Sequence, residues 1–189
     1  MNFTEDVENC LAVLQAGGVI LYPTDTVWGL GCDATNEEAV QKIYSIKQRQ
    51  ETKAMIVLLA DERDIFQYVA QPHPGVFDYL ENTIKPTTVI YDGAIGMADN
   101  LVPGDGSIAI RLVKDEFCRH LIKRLKKPLV STSANISGQQ APSNFNTIDP
   151  QIIHAADYVV QHRRNDEQKA QPSSIIKWND DGSVIVIRE

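Results

Sequence analysis

Cations and hydroxyl groups gather around one stretch of this sequence. Residues 23–30 form a loop rich in hydroxyl side chains and glycine, and Lys47, Arg49 and Lys53 follow after a helical pattern. Loops often carry ligand sites, and lysine and arginine bind anions through charge-assisted hydrogen bonds. The cluster therefore indicates an anion site, although Glu51 among the cations is equally typical of a mixed, solvated surface.

A second polar cluster follows a short apolar strand predicted at residues 129–130. Residues 131–135 bring three hydroxyls and one amide directly after that strand. Ser, Asn and Gly favour turns without any ligand. Polar groups in this place, however, lie where open α/β sheets bind their ligands. The residues alone leave both interpretations open.

Further cations stand at strand ends and on one helix. Arg111 and Arg188 each end an apolar strand, where an arginine is either solvated or one of two that converge on an anion. A basic helix end holds Lys123, Arg124, Lys126 and Lys127. These four are typical of a helix surface, with RNA contact as the alternative.

Composition excludes several classes of protein. The chain has 189 residues and a net charge of −7, which argues against coating nucleic acid by bulk electrostatics. No apolar run is long enough for a bilayer, and residues 1–6 lack the pattern of a secretion signal. Three widely spaced cysteines form neither a disulfide framework nor a zinc motif, and the four histidines form no metal pattern. We therefore expect a cytoplasmic protein with no metal site of its own and no membrane association.

Residues 29–34 fit the dinucleotide-binding pattern G-x-G-x-x-A. That pattern requires the first glycine at the end of a strand, where a helix opens. Here residues 23–28 intervene, so we favour a loop shaped by glycine. The chain contains no P-loop, H-E-x-x-H or G-x-S-x-G motif.

The elements that must position these groups follow from periodicity. Apolar, β-branched runs predict strands of one twisted mixed sheet at residues 19–22, 55–59, 87–91, 107–111 and 129–130. Helices are predicted from Thr4 to the glycines at 17–18, after a cap at Thr35 or Asn36, and at residues 62–68, 76–80, 116–125 and 148–155. A further strand is expected at residues 158–160, a polar mobile segment at 163–172, and an antiparallel pair at 174–177 and 184–188. With no repeat and no linker, the prediction is one α/β domain over residues 1–189.

Five short motifs together resemble the threonylcarbamoyl-AMP synthase family, the YrdC-like domain. Residues 23–30 resemble its P-T-D-T-V-Y-G-L loop, and residues 47–49 with 133–135 resemble its K-x-R and S-x-N tetrad. Residues 109–111 and 172–175 match two further stretches. Each motif is short, but their order and spacing cover nearly the whole chain. Ala54, Leu58 and Ala141 depart from the family pattern.

The resemblance implies a fold and a reaction. The fold is a YrdC-like, or DHBP synthase-like, α/β domain with a twisted mixed sheet flanked by helices, of the short type without an extra C-terminal domain. The reaction converts L-threonine, bicarbonate and ATP into threonylcarbamoyl-AMP and pyrophosphate, as in a nucleotidyltransferase. The product would pass to tRNA threonylcarbamoyl-transfer proteins for threonylcarbamoyl-adenosine modification. Mg²⁺ would accompany the nucleotide, with few protein ligands.

The resemblance also implies roles for individual residues. The catalytic tetrad would be Lys47, Arg49, Ser133 and Asn135. ATP would contact Arg49, Lys53, Ser107, Ser133, Asn135 and Arg188. Threonine would contact Thr26, Arg111 and Ser173, with Thr24 as a neighbour. Since none of these resembles a covalent nucleophile, the expected catalysis is positioning and electrostatic stabilisation.

Two other functions compete with the synthase. A non-enzymatic RNA-binding module of the same fold would use the basic segments, with weak binding to tRNA or double-stranded RNA. The negative net charge weighs against it. A relative with a changed substrate would have lost part of the tetrad, which is intact here.

Overall fold

The computed structural model describes residues 3–50, 54–167, 171–179 and 181–189. Its helices are α1 (Thr4–Gln15), α2 (Glu37–Lys47), α3 (Ile65–Tyr68), α4 (Gly75–Asn82), α5 (Glu116–Leu125) and α6 (Pro150–Ala155). Its strands are β1 (Ile20–Tyr22), β2 (Gly29–Gly31), β3 (Ile56–Leu59), β4 (Thr87–Tyr91), β5 (Ile108–Leu112), β6 (Leu129–Ser133), β7 (Tyr158–Val159), β8 (Ser174–Trp178) and β9 (Val184–Arg188). Short 3₁₀ turns occupy Glu62–Asp64, Asp99–Leu101 and Phe145–Thr147.

The strands form one mixed sheet in the order β7-β1-β2-β6-β3-β5-β4-β8-β9. Strand β3 runs parallel to β5, and β4 runs parallel to β8, while β6 is antiparallel to both of its neighbours. The prediction that five apolar runs share one sheet is confirmed, as is the mixed α/β class. The predicted C-terminal antiparallel pair is also present as β8 and β9.

Helix starts follow from local capping chemistry. The side chain of Asn36 accepts a hydrogen bond from the main chain of Ala39 at the start of α2, and Asp115 does the same for Cys118 at the start of α5. The amphipathic patterns place an apolar stripe of each helix against the sheet or another helix. Helix α1 packs on α5 and on β1, and α5 also packs on β3. Among the helices of the described residues, none combines the length and apolarity that a bilayer crossing needs.

Strand β6 differs from the prediction. It continues through Ser131, Thr132 and Ser133, residues expected to leave the strand as a turn. Thr132 pairs with Leu30 and Ser133 with Gly29, because β6 lies between two strands that satisfy its main chain. Pairing with neighbours thus outweighs the turn preference of these residues.

Residues 29–31 of the glycine motif form strand β2, so the loop that we favoured there is wrong, and these residues do not form a nucleotide-binding turn either. Gly29 and Gly31 lie in β2, between β1 and β6. A Cβ atom on Gly31 would lie 2.6 Å from the Tyr22 ring and 2.8 Å from the Val130 carbonyl. The glycine is therefore required by close packing within the sheet.

Candidate functional site

Paired positions on neighbouring strands assemble one polar face of the sheet. Gly29 on β2 pairs with Ser133, and Ser131 pairs with Ile56 on β3. Farther along the sheet, Arg111 on β5 pairs with Thr88 on β4. Since directly paired residues point to the same face of a sheet, register alone brings these groups to one surface. Ile175 continues the row on β8 and pairs with Arg188 on β9.

A cleft of about 340 Å³ opens above this row. Seven of the residues assigned to ATP, threonine or the tetrad line it: Thr26, Arg49, Arg111, Ser133, Asn135, Ser173 and Arg188. They come from the loop before β2, the segment after α2, and strands or loops of both halves of the sheet. The two predicted polar clusters and the two strand-end arginines therefore meet in one place.

Lys47 is not among the residues that line the cleft, contrary to our expectation for the tetrad. It is the last residue of α2 and is 1% exposed. Its ammonium donates to the main-chain carbonyl of Ser133, and to that of Asn135 at 2.7 Å. Lys47 thus lies beneath the cleft and holds the backbone that carries two other members of the tetrad. Its main-chain carbonyl accepts a further bond from Ser137 at 2.8 Å.

Asn135 closes the loop after β6 and leaves one acceptor unused. Its Nδ2 donates to the carbonyls of Ile136 at 2.8 Å and Gln139 at 2.9 Å. Its Oδ1 is buried and has no hydrogen-bond partner among the described residues. A buried acceptor without a partner is costly, so this oxygen is suited to a donor group of a ligand.

Arg111 is the most deeply buried cation that lines the cleft, at 3% exposed. Its Nη2 lies 3.0 Å from Oδ1 of Asp25, which makes an ion pair. The two atoms are not aligned for a hydrogen bond, and Nε of Arg111 has no partner within the described part of the chain. A guanidinium with open donors in a cleft is suited to bind a carboxylate in its own plane, through two parallel charge-assisted hydrogen bonds.

Arg188 reaches the cleft from the edge strand β9. Its Nε donates to the carbonyl of Ser173 at 2.9 Å, and its Nη2 lies 3.4 Å from the Ser173 hydroxyl. That hydroxyl also shares a hydrogen bond of 2.8 Å with the hydroxyl of Thr88. Strands β4, β8 and β9 are thus tied together at the point where Ser173 faces the cleft.

Arg49 closes the cleft on the side of α2. The chain leaves the helix through Gln48 in the left-handed conformation, with φ of 50°. Arg49 then donates from Nη2 to the carbonyl of Ala54 at 2.7 Å. The assigned ATP contact Lys53 lies outside the described residues.

Electrostatics in the cleft are those of an anion site. Burial, and next the charge of Arg111, lowers the pKa of Arg188. Burial also lowers the pKa of Arg49. For Lys47, burial and then the charge of Arg49 lower the pKa from 10.5 to about 7. Burial is the first cause in all three cases, and a bound anion would offset it together with the repulsion that Arg188 and Lys47 also experience.

The loop before β2 presents Thr26 to the cleft through a network of its own. The hydroxyl of Thr24 lies 2.9 Å from that of Thr26 and donates to the carbonyl of Val27 at 2.9 Å. It also accepts from the main-chain N–H of Thr26 at 3.0 Å. Both threonines are buried. Thr24 thus contacts Thr26 directly, and its place beside bound threonine stays a prediction.

Ser107 does not line the cleft. It precedes β5, and its main chain donates to the carboxylate of Asp105 at 3.0 Å. Because side chains alternate along a strand, Ser107 has the same parity as Ala109 and Arg111. It nevertheless lies outside the residues that line the cleft. The assignment of Ser107 to ATP therefore has no support from the geometry of the cleft.

Several cleft residues were not identified from the sequence. They include Ile56, Met55 and Gln139. Ser131 and Thr132 belong to the predicted polar cluster, but only the strand pairing of β6 shows that they form part of the floor. Asp25 lies inside the recognised loop, yet its partner Arg111 is far away in sequence, so no local pattern could reveal the ion pair.

The donor set of the cleft determines its chemistry. Hydroxyls, two amides and three arginines line it, and no carboxylate lines it among the described residues. No group of three or more potential metal ligands occurs in the part of the chain that the structure describes. Such a lining can grip carboxylate and phosphate groups and stabilise negative charge that grows between them.

Comparison with known proteins links this site to a family. The Sua5–YciO–YrdC family model, described as telomere recombination, matches residues 12–189. A threonylcarbamoyl-AMP synthase of Idiomarina loihiensis is 36% identical over 162 residues, covering 84% of this chain and 86% of the relative. A protein named as a putative threonylcarbamoyl-AMP synthase of Methanocaldococcus jannaschii is 34% identical and covers 92% of this chain and 80% of the relative.

A solved structure shares the fold. The crystal structure of P. abyssi Sua5 complexed with L-threonine superposes with a TM-score of 0.85 at 19% identity. The superposition covers 97% of this chain but 54% of that protein. The chain thus spans about half the length of that Sua5 protein, whereas it spans most of the curated relatives.

Proposed function

The chain belongs to the Sua5–YciO–YrdC family, and from that premise we propose that it is an L-threonylcarbamoyladenylate synthase. The reaction joins L-threonine, bicarbonate and ATP to give threonylcarbamoyl-AMP and pyrophosphate, which makes the enzyme a nucleotidyltransferase. The product serves the threonylcarbamoyl-adenosine modification of tRNA through downstream transfer proteins. That the chain is a single domain of the short type stays a prediction.

The observation that carries the proposal is the convergence of Arg49, Arg111 and Arg188 on one cleft. A substrate with one carboxylate and a nucleotide with three phosphates together need several cations at separate points of a single cavity. Arg111 comes from the centre of the sheet, Arg188 from its edge and Arg49 from the end of α2. An isolated surface site would not require a buried arginine with open donors.

The chemistry divides among these groups. Arg111 holds the carboxylate of threonine, while Thr26 and Ser173 bind its polar groups. The threonine amine forms a bond to the carbon of bicarbonate as a C–O bond of bicarbonate breaks, which gives a carbamate and releases water. A carbamate oxygen then forms a bond to the α-phosphorus of ATP, as the bond from that phosphorus to the bridging oxygen of pyrophosphate breaks. Arg49 and Arg188 offset the charge that grows on the phosphates, and catalysis is positioning with electrostatic stabilisation.

The neutral members of the site orient the reacting groups. Ser133 offers a hydroxyl to phosphate or carbamate, and the unpaired Oδ1 of Asn135 accepts from a donor on the substrates. Lys47 fixes both through their main chain. Mg²⁺ enters as part of the MgATP substrate, because the cleft lining supplies hydroxyl oxygens and no carboxylate among the described residues.

The test is product formation by the full chain. Incubation with threonine, bicarbonate and MgATP should release pyrophosphate and yield threonylcarbamoyl-AMP, identified by mass spectrometry. Both should depend on threonine, with serine and no amino acid as controls. Absence of threonine-dependent pyrophosphate would contradict the proposed reaction.

The alternative function, an RNA-binding module, is tested by measuring tRNA binding to the same protein at several salt concentrations. Binding to free tRNA should be weak and should fall as salt rises, because only local basic segments meet the phosphates. A tight complex that resists salt, without pyrophosphate release, would favour the module. A cytoplasmic location stays our proposal, in agreement with three buried free cysteines.

A further inference from the structure

Arg163 contacts the loop that presents Thr26 from behind. Its Nη2 donates to the main-chain carbonyl of Thr24 at 3.1 Å. Its Nη1 makes a hydrogen bond and ion pair of 2.8 Å with Asp115, the residue that caps α5. One guanidinium therefore joins the loop to the start of α5. The polar mobile segment predicted from residue 163 onward thus begins with a residue that makes defined tertiary contacts.

The turn that carries Arg163 is anchored independently. The carboxylate of Asp6 accepts from the main-chain N–H groups of Gln161 at 2.9 Å and His162 at 2.8 Å. The ring of His162 stacks on that of Phe117 in α5, with 5.7 Å between centroids. Helices α1 and α5 together thus hold the base of the Arg163 side chain.

The backbone of Arg163 adopts a conformation that its residue type disfavours. Its φ is 65°, in the left-handed region, which costs a residue with a Cβ atom about 1 kcal/mol relative to the right-handed form. Such a conformation persists where surrounding contacts over-determine it, often near functional sites. Glycine would adopt it without that cost, so the guanidinium and not the backbone gives arginine its role here.

A second contact acts on the same loop. The thiol of Cys118, in the first turn of α5, lies 3.4 Å from the carbonyl of Pro23. Two successive carbonyls of the loop, at residues 23 and 24, are thus bound by groups that α5 positions. The next polar link is the hydroxyl pair of Thr24 and Thr26, at 2.9 Å.

We propose that Arg163 is a positioning residue that fixes the loop from Pro23 to Thr26 in the form that binds threonine. We call the contacts of Arg163 with Thr24 and Asp115 the clamp. The identity of the substrate rests on the proposed function, whereas the clamp rests on geometry alone. Arg163 does not line the cleft, so it acts through Thr24 and Thr26. Loss of its guanidinium should therefore weaken threonine binding selectively and leave ATP binding little changed.

The test compares Arg163→Gly with Arg124→Ala. Glycine retains the left-handed turn and removes only the side-chain contacts. Arg124 is a matched control on α5, with a weak ion pair of 4.0 Å to Glu8 and no contact with the loop. We expect Arg163→Gly to raise the KM for threonine about tenfold, the usual effect of losing one charge-assisted hydrogen bond. The KM for ATP should change less than about twofold, and Arg124→Ala should leave both constants unchanged.

Amide hydrogen exchange of residues 24–28 tests whether Arg163 holds the loop, independently of whether the protein is a synthase. Faster exchange there in Arg163→Gly, with wild-type exchange elsewhere, would support the clamp even if no synthase activity were found. In that case calorimetric binding of threonine replaces KM. Wild-type exchange in the loop, or wild-type threonine affinity despite faster exchange, would overturn the proposal. If the glycine variant does not fold, Asp115→Asn serves instead, since its Oδ1 can still cap α5.

Discussion

The Lys47 ammonium donates to the Asn135 carbonyl at 2.7 Å, from beneath the floor of the cleft. Helix α2 and the loop after β6 are far apart in sequence, and this bond joins them at the candidate site. The family resemblance placed Lys47 with the groups that act on substrate. Its burial and its hydrogen bonds are those of a support for the loop on which Ser133 and Asn135 lie, and its catalytic role stays a prediction.

Lys47→Met should abolish most activity while the protein stays folded. The loop loses two hydrogen bonds, but methionine also removes the cost of burying an ammonium, so the free energy of unfolding should change by less than about 1 kcal/mol near neutral pH. Pyrophosphate release should fall at least about tenfold. Lys42→Met is the matched control, because Lys42 also donates to a carbonyl, that of Gly17, from the exposed side of α2. Equal activity in both variants would contradict the supporting role.

The stability of the wild-type protein should depend on pH through Lys47. Burial lowers the pKa of this lysine from 10.5 to about 7. Between these values the unfolded chain binds more protons than the folded one, so the free energy of unfolding rises with pH. The contribution of one group reaches at most about 1.4 kcal/mol per pH unit. In urea unfolding, the free energy of unfolding of the wild type should increase relative to that of Lys47→Met as the pH rises through this window. A difference that does not change with pH would contradict the prediction.

Arg49→Ala should lose at least about a hundredfold in rate, or roughly 3 kcal/mol of barrier, because a charge-assisted contact to the reacting phosphates disappears. Arg63→Ala is its control, since Arg63 is exposed and lies outside the cleft. Melting temperature and threonine-dependent pyrophosphate release are measured for both. Comparable activities would show that Arg49 is ordinary surface.

The ion pair of Asp25 with Arg111 should appear as a coupling energy. Asp25→Ala leaves a buried cation without its partner and should lower the free energy of unfolding by about 3 kcal/mol. The side chains are 15% and 4% exposed, so solvent screens the pair little. The double variant with Arg111→Ala should be less destabilised than the sum of the single variants, by roughly 1–3 kcal/mol. Additive losses in urea unfolding would mean that the pair contributes nothing specific.

Gly31→Ala should destabilise the fold by about 1–3 kcal/mol, since its new methyl group would overlap the Tyr22 ring and the Val130 carbonyl. Gly104→Ala provides the comparison, because no heavy atom lies within 4 Å of a Cβ built there. Thermal melts of the two variants are the measurement. A tolerated Gly31→Ala would show that the sheet can widen at β2.

Local signals in the sequence were sufficient for many elements. The bounds predicted for β4 and α5, at residues 87–91 and 116–125, are those of the structure. The apolar periodicity of α5 and the β-branched run of β4 each act over a few residues, so they can be recognised without the fold. Boundaries that depend on neighbours were predicted less well, as for β6, which continues through residues whose types favour turns.

The sequence by itself determined the mixed α/β class, the order of the motifs and most of the side chains that meet in the cleft. Only the tertiary structure decided what each one contacts. It buried Lys47 beneath the floor, paired Asp25 with Arg111, and brought Arg163 to the loop of Thr24 across 139 positions of the chain. Residue types set which hydrogen bonds and charges are available, whereas strand register and helix packing set which of them come within reach, because those contacts join segments that share no local pattern.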